Sequence, residues 1–254
     1  MKILVALALT LGLLAGVPAA TAAPVEPLPV GTRPDYQLGG ARSVPDDIGV
    51  VVRDRRAEPL AGRYNVCYIN GFQTQPDEKR FWRGRRELLL KRHGRFVVDE
   101  AWGERLFDIR TPRKRTRLAR IVGRWIDRCA RDGFDAVEFD NLDSFSRSRG
   151  LVEPRHAKRF ARKLVRRAHA AGLAAAQKNW AGLRGDRIGF DFAVAEECGR
   201  YDECGRYVAT YGRRVLVVEY RRKDLRRTCR AYGDELAVVL RDRALKPNGR
   251  RVWC

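Results

Sequence analysis

Short apolar runs recur along the chain, and most end on a polar or acidic residue. Eight of them read as strands, over residues 36–38, 48–53, 65–70, 136–140, 173–178, 192–197, 215–220 and 236–241. Several are near-continuous Val, Ala and Leu, the composition of parallel strands buried on both faces. Residues 96–98 and 106–109 compete for the same description. Between the strands the period lengthens. From Pro112 to Arg131 the apolar residues Leu118, Ile121, Val122, Trp125, Ile126 and Cys129 step by three and four, the stripe of a helix with one buried face. From Pro154 to Ala171 the residues Ala157, Phe160, Ala161, Leu164, Val165 and Ala168 repeat the pattern. Each proline suits a first helical turn, where its missing N–H is not needed. Gly133 and Gly172 follow, where a left-handed cap is wanted. Helix, glycine, apolar strand and polar tip are the grammar of a βα repeat. Eight strands predict a single-domain (β/α)8 TIM-type barrel, with an open doubly wound sheet as the runner-up.

The chain opens on Met1-Lys2, an apolar run from Ile3 to Val17, and Ala20-Thr21-Ala22. That reads as a secretory signal peptide over residues 1–22, followed by a flexible Pro-rich leader over 23–34 and the barrel domain over 35–254. The first run is short for a membrane span, so no membrane partner is expected. Export changes the reading of the six cysteines at 67, 129, 198, 204, 229 and 254, which become candidates for three disulfides. The expected pairing is Cys198–Cys204 as a local clip, Cys229–Cys254 tying down the C-terminus, and Cys67–Cys129 joining a strand to a helix. Lys and Arg number 52 against 31 acids, a formal charge of +21. Such a charge favours polyanions. Here the arginines are spread over most helices and no aromatic residues interleave with them, so they read as solvated faces and no specific nucleic acid is expected.

Working residues of a β/α barrel sit at the C-terminal ends of its strands. Here those ends carry Arg53, Asn70, Asp140 to Asp143, Lys178, Asn179, Glu196, Glu197, Glu219, Tyr220 and Arg241. Asp140 and the Glu196/Glu197 pair directly extend apolar runs, and a buried carboxylate without a role is costly. Alternation places Ala136, Glu138 and Asp140 on one face. It leaves open whether Glu196 or Glu197 points inward. Two acids facing one cleft is the chemistry of glycoside hydrolysis. There is no Gly-x-Ser-x-Gly elbow, no Gly-x-Gly-x-x-Gly and no Walker loop, and His93, His156 and His169 all lie away from strand tips. Esterase, nucleotide-binding and histidine-based nuclease readings lose ground accordingly.

The segments Asp35-Tyr-Gln-Leu38, Cys67-Tyr-Ile-Asn70, Asp108-Ile-Arg110, Gly133-Phe-Asp-Ala-Val-Glu-Phe-Asp-Asn-Leu-Asp143, Gln177-Lys-Asn179, Phe190-Asp-Phe-Ala-Val-Ala-Glu-Glu-Cys198, Tyr201-Asp-Glu-Cys204 and Val218-Glu-Tyr220 together resemble glycoside hydrolase family 114. These are the endo-α-1,4-polygalactosaminidase-like enzymes. The Asp-Asn-x-Asp and Phe-Asp-Phe-Ala-Val-x-Glu-x-Cys stretches are the specific ones, and the likeness runs from about Asp35 to Tyr220. It implies a barrel that cleaves α-1,4-linked galactosamine polymers with no metal cofactor; no other cofactor is expected, and the chain is expected to be a monomer. It places the catalytic pair on Asp140, as nucleophile or positioner of water, and on Glu196, as proton donor. Asn141, Asp143, Lys178, Asn179 and Glu219 are expected to bind sugar hydroxyls or amines, and Tyr36, Trp102 and Tyr220 are the candidate sugar-stacking aromatics. A basic protein repels a cationic polymer at long range, though an acidic cleft attracts amines locally. The reading from another class is a non-catalytic, secreted carbohydrate- or polyanion-binding protein on the same barrel.

Overall fold

The computed structural model describes residues 25–254. The expected signal peptide lies outside the described residues. The main sheet takes its strands in chain order: β1 (Arg33–Gln37), β2 (Ile48–Asp54), β3 (Tyr64–Asn70), β4 (Ala136–Asp140), β5 (Ala174–Lys178), β6 (Phe192–Glu196), β7 (Val215–Glu219), β8 (Ala237–Arg241) and β9 (Arg251–Trp253). Neighbours from β1 to β8 are parallel and only β9 is antiparallel. Sequential parallel order that brings β8 back beside β1 is the winding of a (β/α)8 barrel. All eight expected barrel strands are present. Residues 96–98 and 106–109 are not barrel strands. Parts of them contribute to small hairpins and bridges in the excursion after β3.

The strand pattern divides cleanly between two cores. Tyr36, Val52, Val66, Ala136, Ala176, Phe192, Val194 and Val218 fill the barrel interior. Their neighbours Val137, Phe139, Ala175, Ala193, Ala195 and Val217 pack outward against the helices. Those helices are α1 (Pro112–Asp132), α2 (Pro154–Ala170), α3 (Cys198–Tyr201), α4 (Cys204–Tyr211) and α5 (Arg222–Tyr232). Thr111 caps α1 through its hydroxyl, which accepts from the Lys114 N–H, and Gly133 ends it at φ 92°. No helix separates β1 from β2 or β2 from β3.

Three disulfides pair Cys67 with Cys129, Cys198 with Cys204 and Cys229 with Cys254. The first ties β3 to α1. The third anchors the end of the chain just past β9, the strand that guards the barrel's seam. Arg251 Nη1 donates to Asp35 Oδ2 at 2.7 Å, and Trp253 Nε1 donates to the Pro34 carbonyl at 2.7 Å. Part of the expected leader is packed against the barrel: Leu28 is buried against the interior core, and the Tyr64 hydroxyl donates to the Glu26 carbonyl.

Candidate active site

At three consecutive strand tips the chain turns through left-handed backbone on residues other than glycine. Asn141 follows β4 at φ 61°, Asn179 and Trp180 follow β5 at 52° and 61°, and Glu197 follows β6 at 56°. Such conformations are uncommon for residues with a Cβ and cluster at functional sites. Here they end each strand abruptly, so that Asp140, Lys178 and Glu196 stand at the mouth of the barrel. A cleft of about 480 Å³ opens over them. Its wall also includes Tyr68, Asp99, Trp102 and Glu104 from β3 and the excursion, and Arg243 and Leu245 from the segment after β8.

Lys178 is the hub. Its side chain is only 2% exposed, and its Nζ donates to Glu138 Oε1 and to the Tyr36 hydroxyl, both at 2.9 Å. The same nitrogen lies 3.5 Å from Asp140 Oδ1 and 3.4 Å from Glu196 Oε2. Burial alone would lower the ammonium's pKa. The surrounding carboxylates, Asp140 foremost, outweigh that and hold it well above the ordinary lysine value. Asp140 is further held by the Tyr68 hydroxyl, which donates to Oδ2 at 2.7 Å, and by the Asn141 N–H, which donates to Oδ1 at 2.6 Å. Glu196 accepts from the Tyr220 hydroxyl and from Asn179 Nδ2 at 3.2 Å, while its own N–H donates to Asn179 Oδ1 at 2.8 Å. Because Phe192 and Val194 fill the interior, Glu196 points inward. Glu197 turns to the rim and pairs with Arg200 and Arg243.

Two further acids complete the picture, and neither is among the expected site residues. Glu138 is fully buried beneath Asp140, and its pKa is raised chiefly by desolvation. Alternation already sets it on the face of Asp140, but it lies inside its strand and not at the tip. Glu104 comes from the excursion, where no periodic pattern marks it. It accepts from Asn70 Nδ2 at 2.8 Å and from Asn141 Nδ2 at 3.4 Å. Burial raises its pKa to about 7, the Asn70 hydrogen bond opposes, and Asp140 and Asp99 add to the rise. Across the cleft, Asp54, Asp99, Glu104, Asp140, Asp143 and Glu196 face Arg56, Arg147, Lys178 and Arg243, six carboxyl groups against four cations. The pocket is thus acidic in a strongly basic molecule.

The remaining expected residues divide. Asn141, Asp143, Asn179 and Tyr220 line the cleft. Asp143 is engaged by Arg147, and Tyr220 lies under the Arg243 guanidinium. Trp102 stands 58% exposed at the lip, with its ring free to meet a ligand. Two expectations need correction. Tyr36 is fully buried, so it supports Glu138 and Lys178 from below and presents no stacking face. Glu219 points outward from β7, where it accepts from the Gly199 N–H and the Thr228 hydroxyl, and it does not reach the cleft. Among the described residues, Cys198, Cys204 and Glu219 form the one cluster with metal-ligand spacing, and both of its sulfurs are already joined in a disulfide.

Residues 15–254 match the family described as Glycoside-hydrolase family GH114. No curated protein sequence matches the chain. Among solved structures, Aspergillus fumigatus Ega3 in complex with galactosamine superposes with a TM-score of 0.73 at 20% identity, covering 94% of this chain and 100% of that one. The glycoside hydrolase domain of PelA from Pseudomonas aeruginosa gives 0.60 at 16% identity over 86% of this chain and 97% of its own. At these identities the structural likeness speaks for the barrel alone.

Proposed function

The chain belongs to glycoside hydrolase family GH114, and from that premise we propose that it cleaves α-1,4-linked galactosamine polymers with Asp140 and Glu196 as its carboxyl pair. In this reading it works outside the cell as a monomer, after loss of residues 1–22. One observation carries the assignment. On the floor of an open cleft, a single ammonium lies within 3.5 Å of an oxygen from each acid. Two carboxyl groups that share one cation flank one reacting centre. The substrate class draws on the cleft's acidic balance, which suits a polymer of free amines, and on the galactosamine bound by Ega3.

The shared cation also limits how far apart the acids stand. Two legs of 3.5 and 3.4 Å cap the gap between Asp140 Oδ1 and Glu196 Oε2 below about 7 Å. Carboxyl groups about 5–5.5 Å apart retain configuration, and about 6.5–9.5 Å invert it. A gap capped in this way admits the close approach that a retaining pair needs, and retention is the reading adopted. Asp140, with donors on both oxygens, attacks the anomeric carbon as the glycosidic C–O bond breaks. Glu196, the more exposed at 26% against 18%, gives its proton to the leaving oxygen. Glu196 then takes a proton from water, which displaces Asp140 and frees the sugar.

The test is proton NMR of a de-N-acetylated galactosamine polymer incubated with the enzyme. New reducing ends should appear first as the α anomer, and Glu196→Gln should release them at least about a hundredfold more slowly. A β first product would refute retention. Silence on every aminosugar polymer would remove the substrate class.

A further inference from the structure

The outer surface holds a second built feature, opposite to the cleft in its charge. α1 and α2 lie side by side, and between them runs a groove of about 520 Å³. On its floor the aliphatic stem of Arg167 crosses Gly123 of α1 at contact distance, with Cγ 3.6 Å from where a Cβ would stand. The walls are cationic. Arg120 and Arg124 stand on α1, and Lys163, Arg166 and Arg167 on α2, with Asp127 the sole acid. Asp127 is taken by Arg167. Among the described residues, the other four cations have no ion pair and no side-chain hydrogen bond. Arg120 and Arg124 are one turn apart, about 6 Å along the axis, as are Lys163 and Arg167 on the facing wall.

The geometry points to this groove as a binding track for an anionic polysaccharide. Rows of cations repeated at one-turn intervals on both walls suit a polymer whose charge also repeats. Arginine predominates, and its planar fork matches a carboxylate bidentately. No aromatic side chain lines the groove, so the stacking platform that single-stranded nucleic acid uses is missing. The choice of a polysaccharide rests in part on the proposed substrate. A polycation outside a cell is held among the polyanions that neutralise it, and a hydrolase that grips the polyanion works beside its target. The acidic cleft and the basic groove would then read opposite charges of one matrix.

The test measures binding and not hydrolysis, so the track and the glycosidase reading can fail separately. The probe is immobilised polygalacturonate in about 0.1 M salt, with uncharged dextran as blank. One variant carries Arg120→Ser, Arg124→Ser and Arg166→Ser. A control carries Arg222→Ser, Arg226→Ser and Arg230→Ser on α5, which removes the same charge from an exposed face away from the groove. Melting temperatures of both verify the fold. The groove variant should bind roughly tenfold more weakly and the control within about twofold of the unaltered protein, because local contacts and not net charge set the affinity. Equal losses in both variants would overturn the track in favour of diffuse attraction. Duplex DNA that outcompetes polygalacturonate at equal charge, and loses affinity through the same three residues, would also overturn the assignment by making nucleic acid the occupant.

Discussion

Lys178 decides whether the acids around it can coexist. Glu138, Asp140 and Glu196 converge on its Nζ from the two strands that flank its own, with the lysine side chain 2% exposed and Glu138 fully buried. Removing one partner from a buried charge cluster leaves the others uncompensated, which typically costs about 3–5 kcal/mol. Lys178→Met should therefore lower the unfolding free energy by an amount of that order in urea titration. It should also reduce hydrolysis at least about a hundredfold, since charge repulsion and lost positioning act together. A variant with near-normal turnover would show that the ammonium only fills space. Lys178 and Asp140 were legible in the sequence because each ends a strand-like run, whereas the pattern left Glu196 and Glu197 tied and only the family resemblance chose Glu196. Glu138 escaped because a mid-strand glutamate among apolar neighbours does not advertise a partner that arrives 40 residues later. Glu104 escaped because its hairpin has no period. Glu219 was misassigned because a strand-tip position says nothing of which way the side chain turns. Leu216 and Val218 fill the interior, so Glu219, one residue out of step with them, faces away.

Between elements, Glu219 is a joint. From the tip of β7 it accepts from the start of α3 at Gly199 and from α5 at Thr228. A methyl group on Gly199 would stand 2.0 Å from the Thr228 hydroxyl, so the joint closes only over glycine. Burial raises the Glu219 pKa to about 7, opposed by its two hydrogen bonds. The folded state therefore keeps a proton that the unfolded chain gives up near the ordinary glutamate value. The linked stability is intact below the unfolded value and falls as pH rises towards 7. At most it amounts to about 3–4 kcal/mol. Urea titrations at pH 5 and pH 8 should show Glu219→Gln losing less stability on going up in pH than the unaltered protein, while Glu104 and Glu138 contribute equally to both. An identical pH dependence would mean that the carboxyl is ionised in its joint throughout. The elements themselves were the most legible part of the chain. Period, proline and glycine set α1 and α2 to within a residue or two. β9 was not legible, because three residues after a Lys-Pro-Asn-Gly turn carry no pattern and pair only because the seam needs covering.

The molecule as a whole is a barrel whose last gap is closed by its own C-terminus. β9, held by the Cys229–Cys254 disulfide, spans from β8 to the buried Asp35 of β1, and the segment leading to it supplies Arg243 and Leu245 to the cleft. Replacing both cysteines by serine should cost about 3 kcal/mol in the unfolding equilibrium, from the closure of a loop of this length. It should also raise KM more than it lowers kcat, because the wall loosens while the floor stays. Unchanged KM would detach the seam from the site. The barrel's larger consequence is that β4 and β6, distant in the chain, deliver two acids to one ammonium between them. The most direct test of that claim is kcat/KM on a galactosamine polymer for the unaltered enzyme, Asp140→Asn, Glu196→Gln and the double variant. Residues that work as one unit are strongly non-additive. Each single change should cost roughly a hundredfold or more, and the double should be no slower than the worse single. Losses that multiply in the double variant, or either single variant within about tenfold of normal, would contradict the account.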